Sequence, residues 1–175
     1  INDVTAPVAD VATLADVTAE CEVALITAPT ATDNCGGAIT ATTDATFPIT
    51  AQGTTVVTWT YDDGNGNTST QPQNVVINDV TAPVADVATL TDVTAECEVA
   101  SITAPTATDN CASTITGTTT DPLAYNTQGT HVVTWSFDDG NGNITTETQN
   151  VVINDVTAPV ADVVTLADVT AECEV

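Results

Sequence analysis

The chain has 175 residues, of which 24 are Asp or Glu and none is Lys or Arg, giving a formal net charge of −24. A surface without cations cannot neutralise phosphates, which argues against nucleic acid as a partner, and anionic lipid surfaces should repel it. No apolar window of about 18 residues is present to span a bilayer, yet apolar residues make up 42% of the chain, too many for a disordered acidic segment.

The sequence repeats itself. Ile1 to Asp10 returns at Ile77 to Asp86 and at Ile153 to Asp162, an offset of 76 residues each time. A fixed period of this kind marks an array of similar units, here residues 1–76, 77–152 and the start of a third unit, 153–175. The acidity is built into the units, at −9, −10 and −5 respectively. Val175 matches Val23 and Val99, so the chain reads as a segment of a longer array.

Within the first unit, Pro7 to Val11 reads as a strand leaving a linker, and Val17 to Ile26 as a second strand carrying Cys21. Residues 28–34 read as a loop ending at Cys35. Ala38 to Thr43 is a third strand and Phe47-Pro48-Ile49 opens a short fourth. Thr54 to Tyr61 is the clearest strand, with Val57, Trp59 and Tyr61 on one face. Residues 62–67, Asp-Asp-Gly-Asn-Gly-Asn, form a turn, and Thr68 to Ile77 is the last strand. Thr and Val favour strand over helix. The fold class expected is all-β: tandem immunoglobulin-like β-sandwich repeats of 76 residues.

Cys21 and Cys35 lie 14 residues apart, as do Cys97 and Cys111, while Cys173 corresponds to Cys21. One pair per unit at constant spacing predicts local disulfides, Cys21 with Cys35 and Cys97 with Cys111. Each would contribute about 3 kcal/mol by closing a loop of roughly 15 residues, and would imply an oxidising, extracellular setting. Zinc is the alternative, but the chain has no Cys-x-x-Cys and no repeated His.

Alternate loops of such a sandwich gather at one end. In the first unit this would bring together Asp3, Asp33, Asn34, Asp62, Asp63, Asn65 and Asn67. In the second it would bring together Asp79, Asp109, Asn110, Asp138, Asp139, Asn141 and Asn143, and Asp155 opens the third. Carboxylates and carboxamides on a Gly-relaxed backbone suit Ca²⁺, which takes six to eight oxygen ligands. The alternative is plain turn chemistry, since Asp-Gly and Asn-Gly are strong hairpin signals. Asp86 is either a further ligand or a solvent-facing strand residue.

In order, Asp-x-Thr-x-Pro, Pro-Thr-Ala-Thr-Asp-Asn-Cys, Phe-Pro, Gly-Thr-Thr-Val-Val-Thr-Trp, Asp-Asp-Gly-Asn-Gly-Asn and Asn-Asp resemble the hyalin repeat (HYR) family. The likeness is strongest to the versions found in giant bacterial surface adhesins, including those of gliding bacteria, and it covers both full repeats and the partial third. It implies an extracellular immunoglobulin-like module used in tandem for cell adhesion. Many members of the family carry a further Cys pair that is absent here. The linker is also similar to the Asn-Asp-x-x-Ala-Pro junction of cadherins, where calcium stiffens a chain of domains.

The function expected is therefore structural: a calcium-stiffened stalk or cell-surface filament, with neighbouring repeats as its main partners and a surface glycan or cell-surface molecule as its ligand. The rivals are a subunit that assembles with its own copies into an extracellular fibre or sheath, and a carbohydrate-binding accessory module. Against the last stands the small supply of aromatics, 3% of the chain. No enzyme is expected. The single His131 is replaced by Thr55 in the first repeat, and no Lys is present to act as base or nucleophile. Trp59 and Trp135 read as core rather than as sugar platforms. Thr40 to Thr46 and Thr116 to Thr120 read as exposed strand. Asn67-Thr68-Ser69 and Asn143-Ile144-Thr145 match the N-glycosylation pattern, but the same Asn residues are calcium candidates.

Overall fold

The computed structural model describes residues 2–112, 114–162, 164–165 and 168–173. Among these, regular structure is entirely strand. The first repeat contributes β1 (Val8–Ala9), β2 (Val17–Ala19), β3 (Thr30–Asp33), β4 (Gly37–Thr40), β5 (Gly53–Asp62) and β6 (Thr68–Ile77). The second contributes β7 (Val84–Ala85), β8 (Val93–Ala95), β9 (Thr106–Thr108), β10 (Ile115–Thr116), β11 (Gly129–Asp138) and β12 (Ile144–Ile153).

Two three-stranded sheets, ordered β1-β3-β4 and β2-β6-β5, make up the first repeat. All pairings are antiparallel except β2 with β6, which run parallel in the register Val17 to Val75 and Ala19 to Ile77. The first stretch of chain thus leaves one sheet after β1 and joins the other as β2, beside the last strand. This is the immunoglobulin-like arrangement. The second repeat repeats the pattern, with sheets β10-β9-β7 and β11-β12-β8 and β8 parallel to β12. Among the described residues there is no helix long and apolar enough to cross a membrane.

By its contacts the chain forms two compact units. One comprises Ile1–Thr89, Ala104–Thr118 and Trp135–Glu147; the other comprises Leu90–Thr103, Thr119–Thr134 and Thr148–Val175. The first unit holds the whole sandwich of the first repeat. The expected face of β5 is its core: Val57, Trp59 and Tyr61 are buried with Val75 and Ile77 of β6 and with Val23, Ala31 and Ile49. Two glutamines of β6 tie this core to the entering chain. Gln71 accepts from Tyr61 Oη at 2.7 Å and donates to the Val11 carbonyl at 2.8 Å. Gln73 accepts from Trp59 Nε1 at 2.9 Å and donates to the Ala15 carbonyl at 2.9 Å. Buried polar atoms are thus paired, as burial requires. In the second repeat, Phe137 stands in place of Tyr61 and Glu147 in place of Gln71, and one buried oxygen of Glu147, Oε2, has no hydrogen-bond partner.

In the second unit, His131 is half-buried on β11. Its ring stacks on Tyr125 with centroids 4.7 Å apart, and its Nε2 lies 2.9 Å from the Thr127 carbonyl. The first-repeat counterparts, Thr55 and Ile49, cannot form such a pair.

Three local expectations are corrected. Residues 30–33, expected as loop, form β3 with Ala31 and Asp33 turned inward and Thr30 and Thr32 outward. The strand expected over Val17 to Ile26 is only Val17–Ala19, after which Val23 forms an isolated bridge with Ile49. The strand expected over Pro7 to Val11 is only Val8–Ala9. In each case the Pro, Asp and Ala content hid, or overstated, pairing that depends on a distant partner strand.

Candidate metal centre

The entering linker, the end of β3 and the β5–β6 turn meet in each repeat. In the first, ligand-type oxygens of Asp3, Asp33 and Asp63 lie within 4.8 Å of one another. In the second, carboxylate oxygens of Asp79 and Asp109 and the Sγ of Cys111 lie equally close. Both clusters lie inside the first compact unit.

Each position has a local cause. Asp33 is the last residue of β3 and faces inward. Its Oδ1 accepts the backbone N–H groups of Cys35 and Gly36, both at 2.8 Å, closing the turn into β4. Asp109 does likewise with Cys111 at 2.8 Å and Ala112 at 3.1 Å. The other oxygen of each, Asp33 Oδ2 and Asp109 Oδ2, is buried and has no hydrogen-bond partner. The two residues are only 6% and 8% exposed. A carboxylate oxygen held out of water without a partner is costly.

The β5–β6 turn wraps its own carboxylate. Asp63 Oδ1 accepts from Asn65 N at 2.7 Å and Asn67 N at 3.0 Å, and Oδ2 accepts from Asn67 Nδ2 at 2.6 Å. Gly64 and Gly66 have φ of 77° and 103°, which a side chain would resist and which fold the backbone back on Asp63. The Asn67 amide, then the turn N–H groups, hold the Asp63 carboxyl below the usual range. Burial pushes Asp139 up, but the Asn143 amide and the equivalent turn N–H groups outweigh it, and its carboxyl also sits low. Asn67 Nδ2 donates to the Asp3 carbonyl at 3.3 Å. Asn143 and Asn141 donate to the Asp79 carbonyl at 3.2 Å and to Asp79 Oδ2 at 3.0 Å.

Beside the first cluster, the Cys35 thiol is pushed up by desolvation, then by the carboxylates of Asp3, Asp33 and Asp63. Beside the second, the sulfur of Cys111 is bonded to Cys21, with Cα atoms 5.0 Å apart and 90 residues between them in sequence. The local bridges expected from Cys21 to Cys35 and from Cys97 to Cys111 are therefore corrected: Cys35 and Cys97 are free and exposed. The packing of linker against strand end places Cys111 beside Cys21, whereas Cys35 sits beyond β3 of its own repeat, in the turn into β4.

The donor set is made of hard oxygens with two orphaned anionic atoms, which fits a hard divalent cation such as Ca²⁺. It fits zinc poorly: the sulfur at the second cluster is tied up in the Cys21–Cys111 disulfide, and the first offers a single thiol, Cys35, beside three aspartates. Not every candidate is in the clusters. Asp62 and Asp138 are exposed and accept the Gly64 and Gly140 N–H groups, both at 2.8 Å, as ordinary turn residues. Asn34 is exposed, and Asp155 is exposed and accepts the Thr157 N–H at 3.0 Å. Asn110 reaches out of its cluster to Glu20 Oε2. Asp86 lies on the strand face, held by the Thr106 and Thr108 hydroxyls.

The residues that sequence reasoning missed are Glu20 and Gln52. Glu20 Oε2 also accepts the Thr81 hydroxyl at 2.7 Å. Gln52 spans the linker, donating to the Glu20 carbonyl at 3.2 Å and accepting the Asp79 N–H at 3.0 Å. The available signal was their recurrence as Glu96 and Gln128.

Residues 4–77 match the family model described as "HYR-like domain with 4 cysteines". No curated protein matches the sequence. Among solved structures, the chain is similar to the protocadherin GammaB4 extracellular domain, at 14% identity and a TM-score of 0.39 over 85% of this chain and 32% of that one. It is also similar to an endo-fucoidan hydrolase of glycoside hydrolase family 107, at 16% identity and 0.35 over 87% and 29%. A third likeness is to fibronectin(III)-like modules of Clostridium thermocellum CbhA, at 13% identity and 0.29 over 89% and 98%. The chain thus spans about a third of the length of the first two.

Proposed function

Since residues 4–77 are a HYR-like domain, we propose that this chain is an adhesive, structural stretch of a long extracellular repeat protein whose repeat junctions are stiffened by Ca²⁺. The role is mechanical rather than enzymatic. The observation that carries it is the pair of buried carboxylate oxygens, Asp33 Oδ2 and Asp109 Oδ2, left without partners in a chain that has no Lys or Arg to supply one. A divalent cation compensates such atoms directly.

Asp3, Asp33 and Asp63 would hold the ion in the first repeat, and Asp79 and Asp109, backed by Asp139, in the second. The amides of Asn67 and Asn143 would offer their oxygens by rotating about the last side-chain bond. Asp79 is only 5% exposed and is the residue by which the linker enters the second repeat, so an ion there ties linker to strand end. Without it, like charges at the junction repel. Repetition then sums weak contacts with a surface glycan or cell-surface molecule into firm adhesion.

The test is thermal unfolding and small-angle scattering of residues 1–175 in millimolar Ca²⁺ and in chelator. A rise in Tm with Ca²⁺, and a longer maximum dimension, is expected. Identical curves overturn the calcium reading, and concentration-dependent growth in mass would favour a self-assembling fibre instead.

A further inference from the structure

The Cys21–Cys111 bond joins the first cysteine of one repeat to the second cysteine of the next, and the surroundings that produce it recur. Cys97 follows β8 as Cys21 follows β2. Around Cys21, Gln52 bridges the Glu20 carbonyl and the Asp79 N–H, and Glu20 accepts the Thr81 hydroxyl at 2.7 Å. Around Cys97, Gln128 bridges the Glu96 carbonyl at 2.9 Å and the Asp155 N–H at 2.8 Å, and Glu96 accepts the Thr157 hydroxyl at 2.7 Å. The third linker is therefore docked on the second repeat as the second is docked on the first. Cys35, for its part, sits in the same aspartate-capped turn as the bonded Cys111, its N–H 2.8 Å from Asp33 Oδ1 as that of Cys111 is from Asp109 Oδ1.

We propose that the exposed thiols of Cys97 and Cys35 are the forward and backward bonding positions of a disulfide ladder, in which each repeat is bonded to the next and the extension of the array under tension is held to a short stretch per repeat.

The mechanical part follows from the overlap of the loops. Cys97 lies inside the loop closed by Cys21 and Cys111, 14 residues before its end. Tension arriving through Cys21 crosses to Cys111, runs back along those 14 residues to Cys97, and crosses to the next repeat. At 3.3–3.6 Å per residue, a fully unravelled repeat could then extend only about 50 Å, against about 260 Å for 76 unbridged residues. The remaining chain carries no load.

Each bond forms by exchange with a small-molecule disulfide such as oxidised glutathione. The two thiols give up two protons and two electrons and form S–S, while the glutathione S–S breaks and leaves as two thiols. The proposal rests on the tandem-array reading but not on calcium, so its test is done in chelator.

The test uses the full chain and the full chain lengthened at its C-terminus by a second copy of residues 100–152, which completes the third repeat. Both are oxidised with glutathione disulfide and mapped by peptide mass spectrometry. In the full chain, Cys21–Cys111 is expected, with Cys35 and Cys97 open to alkylation. In the lengthened chain, Cys97 should become protected and linked to the added cysteine, and Cys97→Ser should leave that cysteine free. Pulled end to end, the oxidised lengthened chain should lose most of the extension that the reduced chain shows. Local Cys21–Cys35 or Cys97–Cys111 peptides, a Cys97 still free in the lengthened chain, or equal extension in both redox states would overturn the ladder.

Discussion

Cys21 is bonded to Cys111, 90 residues away, and not to Cys35, 14 residues away. The bond ties the end of one repeat's β2 region to the aspartate-capped turn of the next, beside the Asp79–Asp109 cluster. The disulfide and the carboxylate cluster of the junction thus lie side by side.

Cys111→Ser should lower stability by up to about 4.5 kcal/mol in the chain-entropy model, because the closed loop is long. Cys35→Ser should leave it unchanged, since that thiol is free. Guanidinium unfolding of the two variants under non-reducing conditions compares them, and equal losses would mean that the long bond is not formed.

Asp109→Asn removes a buried negative charge whose Oδ2 has no partner. In chelator the variant should be at least as stable as the parent, because an amide costs less to bury than an unpaired carboxylate. In Ca²⁺ the order should reverse, with the parent gaining in Tm and the variant gaining little at that junction. Calorimetry in both buffers reads the crossing, and parallel shifts would count against a cation at Asp109.

Glu147 occupies the place of Gln71 but leaves Oε2 buried and unpaired. Glu147→Gln restores a donor for the Val87 carbonyl, the counterpart of the Val11 carbonyl that Gln71 reaches in the first repeat. We expect the second repeat to gain about 1 kcal/mol, the net worth of one satisfied hydrogen bond. A urea midpoint unchanged or lowered would show that the carboxylate is otherwise served.

Asp10 accepts the Thr30 hydroxyl and then that of Thr32, which together hold its carboxyl below the ordinary 3.8. A folded value depressed in this way adds stability that is present above pH 3.8 and lost as pH falls through the lower folded value. Asp86 repeats the arrangement with Thr106 and Thr108. Carboxyl NMR titration should place both below 3.8, and Thr30→Val should bring Asp10 back toward that value.

The all-β fold, the repeat period and the buried face of β5 were legible in the residues themselves. A two-residue alternation and a 76-residue recurrence are properties of the chain read along its length, and backbone sterics turn the first directly into a sheet face. The gathering of Asp3, Asp33 and Asp63 was legible too, because turn residues of one sandwich collect at its ends. Which cysteine meets Cys21 was not. Spacing favoured the near partner, but the bond depends on how the linker held by Gln52 and Glu20 seats one strand end against the next repeat. Nor could the residues alone separate Asp33 from Asp62. Both precede tight turns, but only Asp33 ends a strand with its side chain facing inward, and burial of one carboxylate oxygen without a partner is a property of the packed state.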